Sequence, residues 1–212
     1  YIFFDKVPEG GICTLDLSFR QNKPSTWADI GYEIGFSQFV YEENTKASEP
    51  VKPLYPVEVL DDERYITVYV GESEYKIDKY DGMICDIVDS GEHLITKKVV
   101  PQIWRAPTDN DICQKGAWER IGFKDAKIKC YSCALVESAA EKAVVKAKIS
   151  LGIPAMPPVL HGEFTYTVTE DRGLVISCDI TWLKRDRTRD KTYYPRFGMR
   201  FTMPEGSEQM KY

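Results

Sequence analysis

The all-β reading of this chain rests on RYITVYVGESEYKIDKY, residues 64–80. Residues 64–70 and 75–80 are rich in aromatic and β-branched residues, as strands are. Between them Gly71-Glu72-Ser73-Glu74 makes a tight turn. Downstream, Asp81-Gly82 turns the chain into a third strand over 83–88, and Asp89-Ser90-Gly91-Glu92 turns it again. Short strands punctuated this often are the mark of an all-β domain. The same rule places later strands over 126–136, 143–151, 162–169, 174–183, 198–202 and 208–212. Turns such as Asp171-Arg172-Gly173 and Pro204-Glu205-Gly206 separate them. One short helix is expected, over 116–121. The strand lengths suit a large antiparallel sandwich, with alternate residues turned inward.

Upstream, residues 12–19 and 32–40 alternate apolar and polar residues, and a polar connection with Pro24 joins them. The texture then changes. Residues 42–56, EENTKASEPVKPLYP, hold three prolines and few large apolar side chains. A linker is therefore expected over 45–56. It divides residues 1–44, the closing strands of a smaller sandwich, from residues 57–212, a larger one. Tyr1-Ile2-Phe3-Phe4 already reads as strand, and the last residues carry no stop signal. Both ends read as cut from a longer chain.

With 28 Lys+Arg against 33 Asp+Glu in 212 residues, the formal net charge is −5. That argues against a nucleic-acid footprint. No apolar run approaches a membrane span, and no leader sequence is visible. Six cysteines, Cys13, Cys85, Cys113, Cys130, Cys133 and Cys178, are too few for a disulfide-stapled scaffold. Cys130 and Cys133 form a C-x-x-C, yet it lacks the second ligand pair of a zinc site and the βαβ context of a redox motif. His93 and His161 have no partner at metal-ligand spacing. The six are expected to be free thiols on strands, and no metal site is expected.

One stretch breaks the strand pattern: Pro101-Gln102-Ile103-Trp104-Arg105-Ala106-Pro107-Thr108-Asp109-Asn110-Asp111-Ile112. Pro107 fixes its own φ, and Asp109 and Asn110 favour a turn. Two readings are open. In one, this is a rigid loop with Arg105 paired to a carboxylate and Trp104 in the core. In the other it is a sugar site, with Trp104 stacked on a pyranose and Asp, Asn and Arg bonding hydroxyls. Two other stretches read as loops. The basic run 184–191, KRDRTRDK, has mixed signs and lies between strands; Pro154-Ala155-Met156-Pro157-Pro158 is a break before the strand at 162.

The run IWRAPTDNDI, residues 103–112, resembles a signature of the multidomain bacterial β-galactosidases of glycoside hydrolase family 2. Arg105, Ala106, Pro107, Asp109, Asn110 and Asp111 all match. Gly116-Ala117-Trp118-Glu119-Arg120 resembles the short helix that follows the signature. Residues 194–201, YPRFGMRF, followed by Met203-Pro204-Glu205-Gly206, resemble a further family stretch. Residues 27–33 and 36–39 look like closing strands of the family's fourth, immunoglobulin-like domain. The resemblance implies the end of that Ig-like domain, then the first half of the fifth, small-chain domain, a galactose-mutarotase-like β-supersandwich. The parent activity it implies is retaining hydrolysis of terminal β-D-galactosides such as lactose, in the cytoplasm.

In that family both catalytic glutamates lie on a separate (β/α)₈ barrel, which needs about 250 residues of alternating strand and helix. No such alternation occurs here. Asp109 and Asp111 are expected to be turn-makers, so no catalytic residue is assigned to this chain. The resemblance implies that Ile112, Cys113, Gln114, Lys115 and Gly116 form a loop bordering the active site, with Gly116 as its hinge. The family's divalent and monovalent metal ions sit in the barrel, so no cofactor is expected in this segment. The partners implied are a galactoside substrate, the barrel and other domains of the same chain, and further copies in a homo-oligomer. The competing reading is a free-standing carbohydrate-binding module that uses Trp104 or Trp118 as its stacking platform. A purely structural sandwich from a surface protein is the third.

Overall fold

The computed structural model describes residues 11–43, 54–183 and 193–209. The chain divides into two compact units, Tyr1–Val51 and Lys52–Tyr212. Residues 45–53 of the expected linker, the strand over 1–4 and the basic run 184–191 lie outside the described residues.

The first unit contributes an antiparallel pair, β1 (Gly11–Arg20) and β2 (Glu33–Glu43). Its register runs from Gly11 opposite Glu43 to Arg20 opposite Glu33. The connection is fastened by the Gln21 amide N–H, which donates to the Tyr32 carbonyl, and by the Gln21 side chain, which donates to the Ala28 carbonyl. Ile34 and Phe36 on one face and Phe39 on the other are all more than half exposed. A two-stranded hairpin cannot cover apolar residues on both its faces.

Among the described residues of the second unit, regular structure is strand apart from one α-helix and two 3-10 turns, and every strand pair is antiparallel. Five strands form a meander: β3 (Val57–Asp61), β4 (Tyr65–Val70), β5 (Ser73–Asp78), β6 (Met83–Asp89) and β7 (Glu92–His93). Next comes β8 (Lys97–Gln102), then the helix α1 (Ile112–Ile121). A second sheet holds β9 (Lys127–Ala139), β10 (Lys142–Gly152), β11 (Leu160–Thr169) and β12 (Gly173–Trp182) in the order 12-11-10-9. The last strand among the described residues, β13 (Gly198–Thr202), pairs with β8. No strand forms at Glu208 and Gln209, so the expected strand there is corrected; residues 210–212 lie outside the described residues.

Alternation explains how the sheets stack. On β11, Leu160, Gly162, Phe164, Tyr166 and Val168 are buried in strict period two. Their β10 partners on the same face are Leu151, Ile149, Ala147, Val145 and Ala143, so the bulky Phe164 lies beside the small Ala147. From the meander, Ile66, Val68, Ile77, Met83 and Ile84 complete the same core. At one point the sheets nearly touch. Gly82 has φ +72°, and a Cβ there would lie 2.7 Å from the Ala147 Cβ. Beside it the buried Tyr166 hydroxyl donates to the Gly82 carbonyl at 2.7 Å, tying sheet to sheet.

Ionic contacts hold the start of β8 to the meander. Asp78, only 3% exposed, accepts from Arg64 Nε at 2.8 Å and Lys98 Nζ at 2.7 Å. Lys98 also reaches Asp81. Strand β8 leads directly into the 103–111 segment, so this network sets where that segment begins. No described helix is long and apolar enough to cross a membrane.

Candidate functional site

The non-strand stretch is a clamp built around Asp111. Thr108 opens a short 3-10 turn, Asp109–Asp111, which runs straight into α1. The Thr108 amide and hydroxyl both donate to Asp111 Oδ2, at 2.8 and 2.9 Å. This is capping-box geometry with an aspartate in the third position. Arg105 reaches over the turn and grips the same carboxylate with both terminal nitrogens. Its Nε donates to the Pro195 carbonyl at 2.8 Å. The Tyr193 hydroxyl donates to Asp111 Oδ1 at 3.2 Å. Trp118, fully buried on α1, donates from its indole nitrogen to the Tyr193 carbonyl at 3.0 Å. Trp104 and Tyr193 pack edge-on against Trp118.

The clamp thus joins two segments some eighty residues apart in sequence. Its electrostatics are one-directional. The Arg105 guanidinium, followed by the Thr108 amide, holds the Asp111 carboxyl far below the usual carboxylate range. Burial, and then the bond to Asp111, raise the Tyr193 phenol. Asp111 therefore stays ionised at any neutral pH and cannot pass a proton.

The structure brings Arg105, Asp111 and the turn around them together as the rigid-loop reading has it. Trp104 is half-buried against the core. Asp109 and Asn110 are exposed and lie outside the clamp. The clamp's second half, Tyr193 and the Pro195 carbonyl, has no signal in the local spacing around residue 105.

The expectation of a loop at Ile112, Cys113, Gln114, Lys115 and Gly116 is corrected. These residues form the first half of α1, and Gly116 lies inside the helix rather than at a hinge. The helix is anchored from behind by Ala117, Trp118 and Ile121. It ends at Gly122, φ +82°, whose amide donates to the Trp118 and Glu119 carbonyls. A Cβ on Gly122 would collide with Ile153 at 2.7 Å. The opposite side of the first turns faces outward: Ile112, Cys113, Lys115 and Gly116 are exposed, Ile112 by 76%. Trp118, as a stacking platform for a sugar, is ruled out by its complete burial.

Retaining glycoside hydrolysis needs two carboxyl groups about 5–5.5 Å apart, one of them able to donate a proton. Asp111 is locked ionised, and its neighbour Asp109 points to solvent. Among the described residues no group of three or more His, Cys, Asp or Glu side chains comes together as a metal site. Cys130 and Cys133 are free thiols on β9. Burial pushes Cys133 up to about 12, so it is a thiol and not a thiolate at neutral pH.

A family model described as beta galactosidase small chain matches residues 70–212. A curated β-galactosidase of Staphylococcus xylosus is 31% identical over 203 residues, covering 95% of this chain and 20% of that protein. One of Actinobacillus pleuropneumoniae is 28% identical over 211 residues, covering 96% of this chain and 20% of the relative. One of Priestia megaterium is 26% identical over 210 residues. The chain spans about one-fifth of the length of these relatives.

Proposed function

The chain belongs to the β-galactosidase small-chain family, and from that premise we propose that it is a non-catalytic segment of a larger β-galactosidase. In this reading the parent hydrolyses terminal β-D-galactosides with carboxylates carried on a separate barrel, which also holds the family's metal ions. The present chain buttresses that barrel and borders its substrate pocket. One observation carries the reading: the signature's Arg105 and Asp111 are committed to one another and to backbone groups, while Asp109 faces solvent outside the clamp. They fix the entry of α1 and offer no acid and no nucleophile. The clamp's geometric product is a helix held from behind with its first turns, Ile112 to Gly116, turned outward. An exposed isoleucine on so firmly anchored a turn suits packing against another domain of the parent. Residues 11–43 read as the closing strands of the preceding Ig-like domain. The apolar residues on both hairpin faces suit a sandwich whose other strands lie upstream.

The test is enzymatic. The 212-residue chain alone is expected to release no o-nitrophenol from o-nitrophenyl β-D-galactoside above the buffer blank. The intact parent polypeptide is expected to hydrolyse it, and Ile112→Ala with Lys115→Ala in that parent to change KM or kcat at unchanged thermal stability. Turnover by the isolated chain, or kinetics in the double variant identical to the parent's, would overturn the proposal.

A further inference from the structure

The outer face of the four-stranded sheet carries a groove of about 400 Å³, walled by Tyr131, Lys148, His161, Glu163, Asp179 and Thr181. It owes its shape to a bulge. Ile149 on β10 pairs with Cys130 and Lys148 with Ser132, so Tyr131 is the extra residue between them. Bulges re-aim a side chain. Here the bulge stands Tyr131 outward, 54% exposed, while its hydroxyl is hydrogen-bonded at 3.0 Å to Ser150, itself 4% exposed. The ring is fixed at its tip and open at its side.

The polar wall is as specific. Glu163 on β11 lies directly opposite Asp179 on β12, and His161 directly opposite Thr181. Like charges placed directly across an antiparallel pair destabilise it. Glu163 is compensated by Lys146 at 2.7 Å and Lys148 at 3.8 Å. Asp179 and Thr181 have no hydrogen-bond or ion-pair partner among the described residues, and His161 has only the Tyr131 ring, at 6.0 Å. Lys129 Nζ lies 5.1 Å from the Tyr131 ring centre; acceptors, donors and an aromatic surface thus meet in one groove, with the bonding capacity of Asp179, Thr181 and the His161 nitrogens unused among the described residues.

We propose that this groove binds a saccharide, whose C–H face lies against Tyr131 and whose hydroxyls bond Asp179, His161 and Thr181. Each sugar hydroxyl both donates and accepts, so it satisfies a wall that mixes carboxylate, imidazole, hydroxyl and ammonium groups. A small anion would face two carboxylates, and a small cation would face Lys148. A purely apolar ligand would strip water from Asp179 without replacing it. A volume of this size admits a mono- or disaccharide. The proposal rests on the groove and is independent of whether the parent hydrolyses galactosides.

The experiment is a lactose titration of the ¹⁵N-labelled 212-residue chain followed by amide chemical shifts. Saturable shifts are expected at residues 131, 148, 161–163, 179 and 181, with a dissociation constant of about 1 mM. Tyr131→Ala is expected to weaken binding about tenfold. If that change disturbs β9, Asp179→Ala decides, because the Asp179 side chain has no hydrogen-bond or ion-pair partner among the described residues; it too should weaken binding several-fold. The proposal is overturned by an absence of saturable shifts, by equal shifts with glycerol, by shifts centred elsewhere, or by undiminished affinity in Asp179→Ala. Loss of hydrolysis by the parent would count against the enzymatic reading alone.

Discussion

Replacing Asp78 by Asn tests whether the β8 anchor is electrostatic. Burial disfavours the Asp78 charge, but Arg64, Lys98 and the Tyr80 amide outweigh it and hold the carboxyl at about 2, against 3.8 when free. A group whose folded pKa is depressed contributes stability above its unfolded value and loses it as pH falls through the folded one. The full shift corresponds to about 2.4 kcal/mol at neutral pH, before screening. Water around Arg64, whose side chain is 55% exposed, reduces this toward about 1 kcal/mol. The stabilisation is complete above about pH 4 and vanishes through about pH 2. Urea unfolding of wild type and Asp78→Asn, followed by the fluorescence of the buried Trp118, measures the gap. The gap is expected to be about 1–2 kcal/mol at pH 6 and to narrow by about 0.5–1 kcal/mol at pH 3. Other carboxylates titrate in both proteins and cancel in the difference. A gap that stays constant with pH would show that the loss comes from hydrogen-bond geometry rather than charge, and would refute the reasoning.

Two further outcomes follow from packing and burial. Gly82→Ala forces a left-handed backbone onto an L-residue and drives its Cβ against Ala147. The combined cost is about 2–5 kcal/mol, read as a drop in melting temperature; a change under about 0.5 kcal/mol would mean that the sheets are not in contact there. Iodoacetamide at pH 8 should modify the exposed Cys113 well before Cys130 and Cys133, whose thiols are raised by burial; mass mapping that finds Cys133 first would contradict its place in the core.

The strands were legible because period two is a local signal. The sequence boundaries for β9 to β13 fall within about three residues of those observed. The helix was legible only in its second half. ICQKGAWERI has a glycine in its interior and a weak apolar stripe, so neither propensity nor periodicity marks its first turns. They are helical because the Asp111 turn launches them and Trp118 anchors them, and these are tertiary causes. The thiols give a similar lesson. Residues three apart on a regular strand face opposite ways, yet Cys130 and Cys133 both pack against the core. The bulge at Tyr131 changes the phase between them, and nothing in the C-x-x-C spacing announces it. The carboxylate partner of Arg105 was legible in kind, since an aspartate-rich turn follows it; Tyr193 and the Pro195 carbonyl were not, because they are brought in by folding alone.

The clamp also explains why the signature needs its particular residue types. Asp111 accepts from Thr108, Arg105 and Tyr193, and every partner is a donor. An asparagine there would turn an N–H₂ toward at least one of them, so a carboxylate is required even though no chemistry passes through it. Arg105 grips both oxygens of Asp111 while a third nitrogen holds the Pro195 carbonyl. A lysine has no planar fork with which to do both. Its guanidinium carbon also lies 5.5 Å from the centre of the Trp118 ring, the same ring whose N–H holds Tyr193. One arginine therefore touches the turn, the helix and the returning 193–195 segment at once. A motif that looks like an active site in sequence, with acids around an arginine, is accounted for by the need to lock those three pieces into a single orientation.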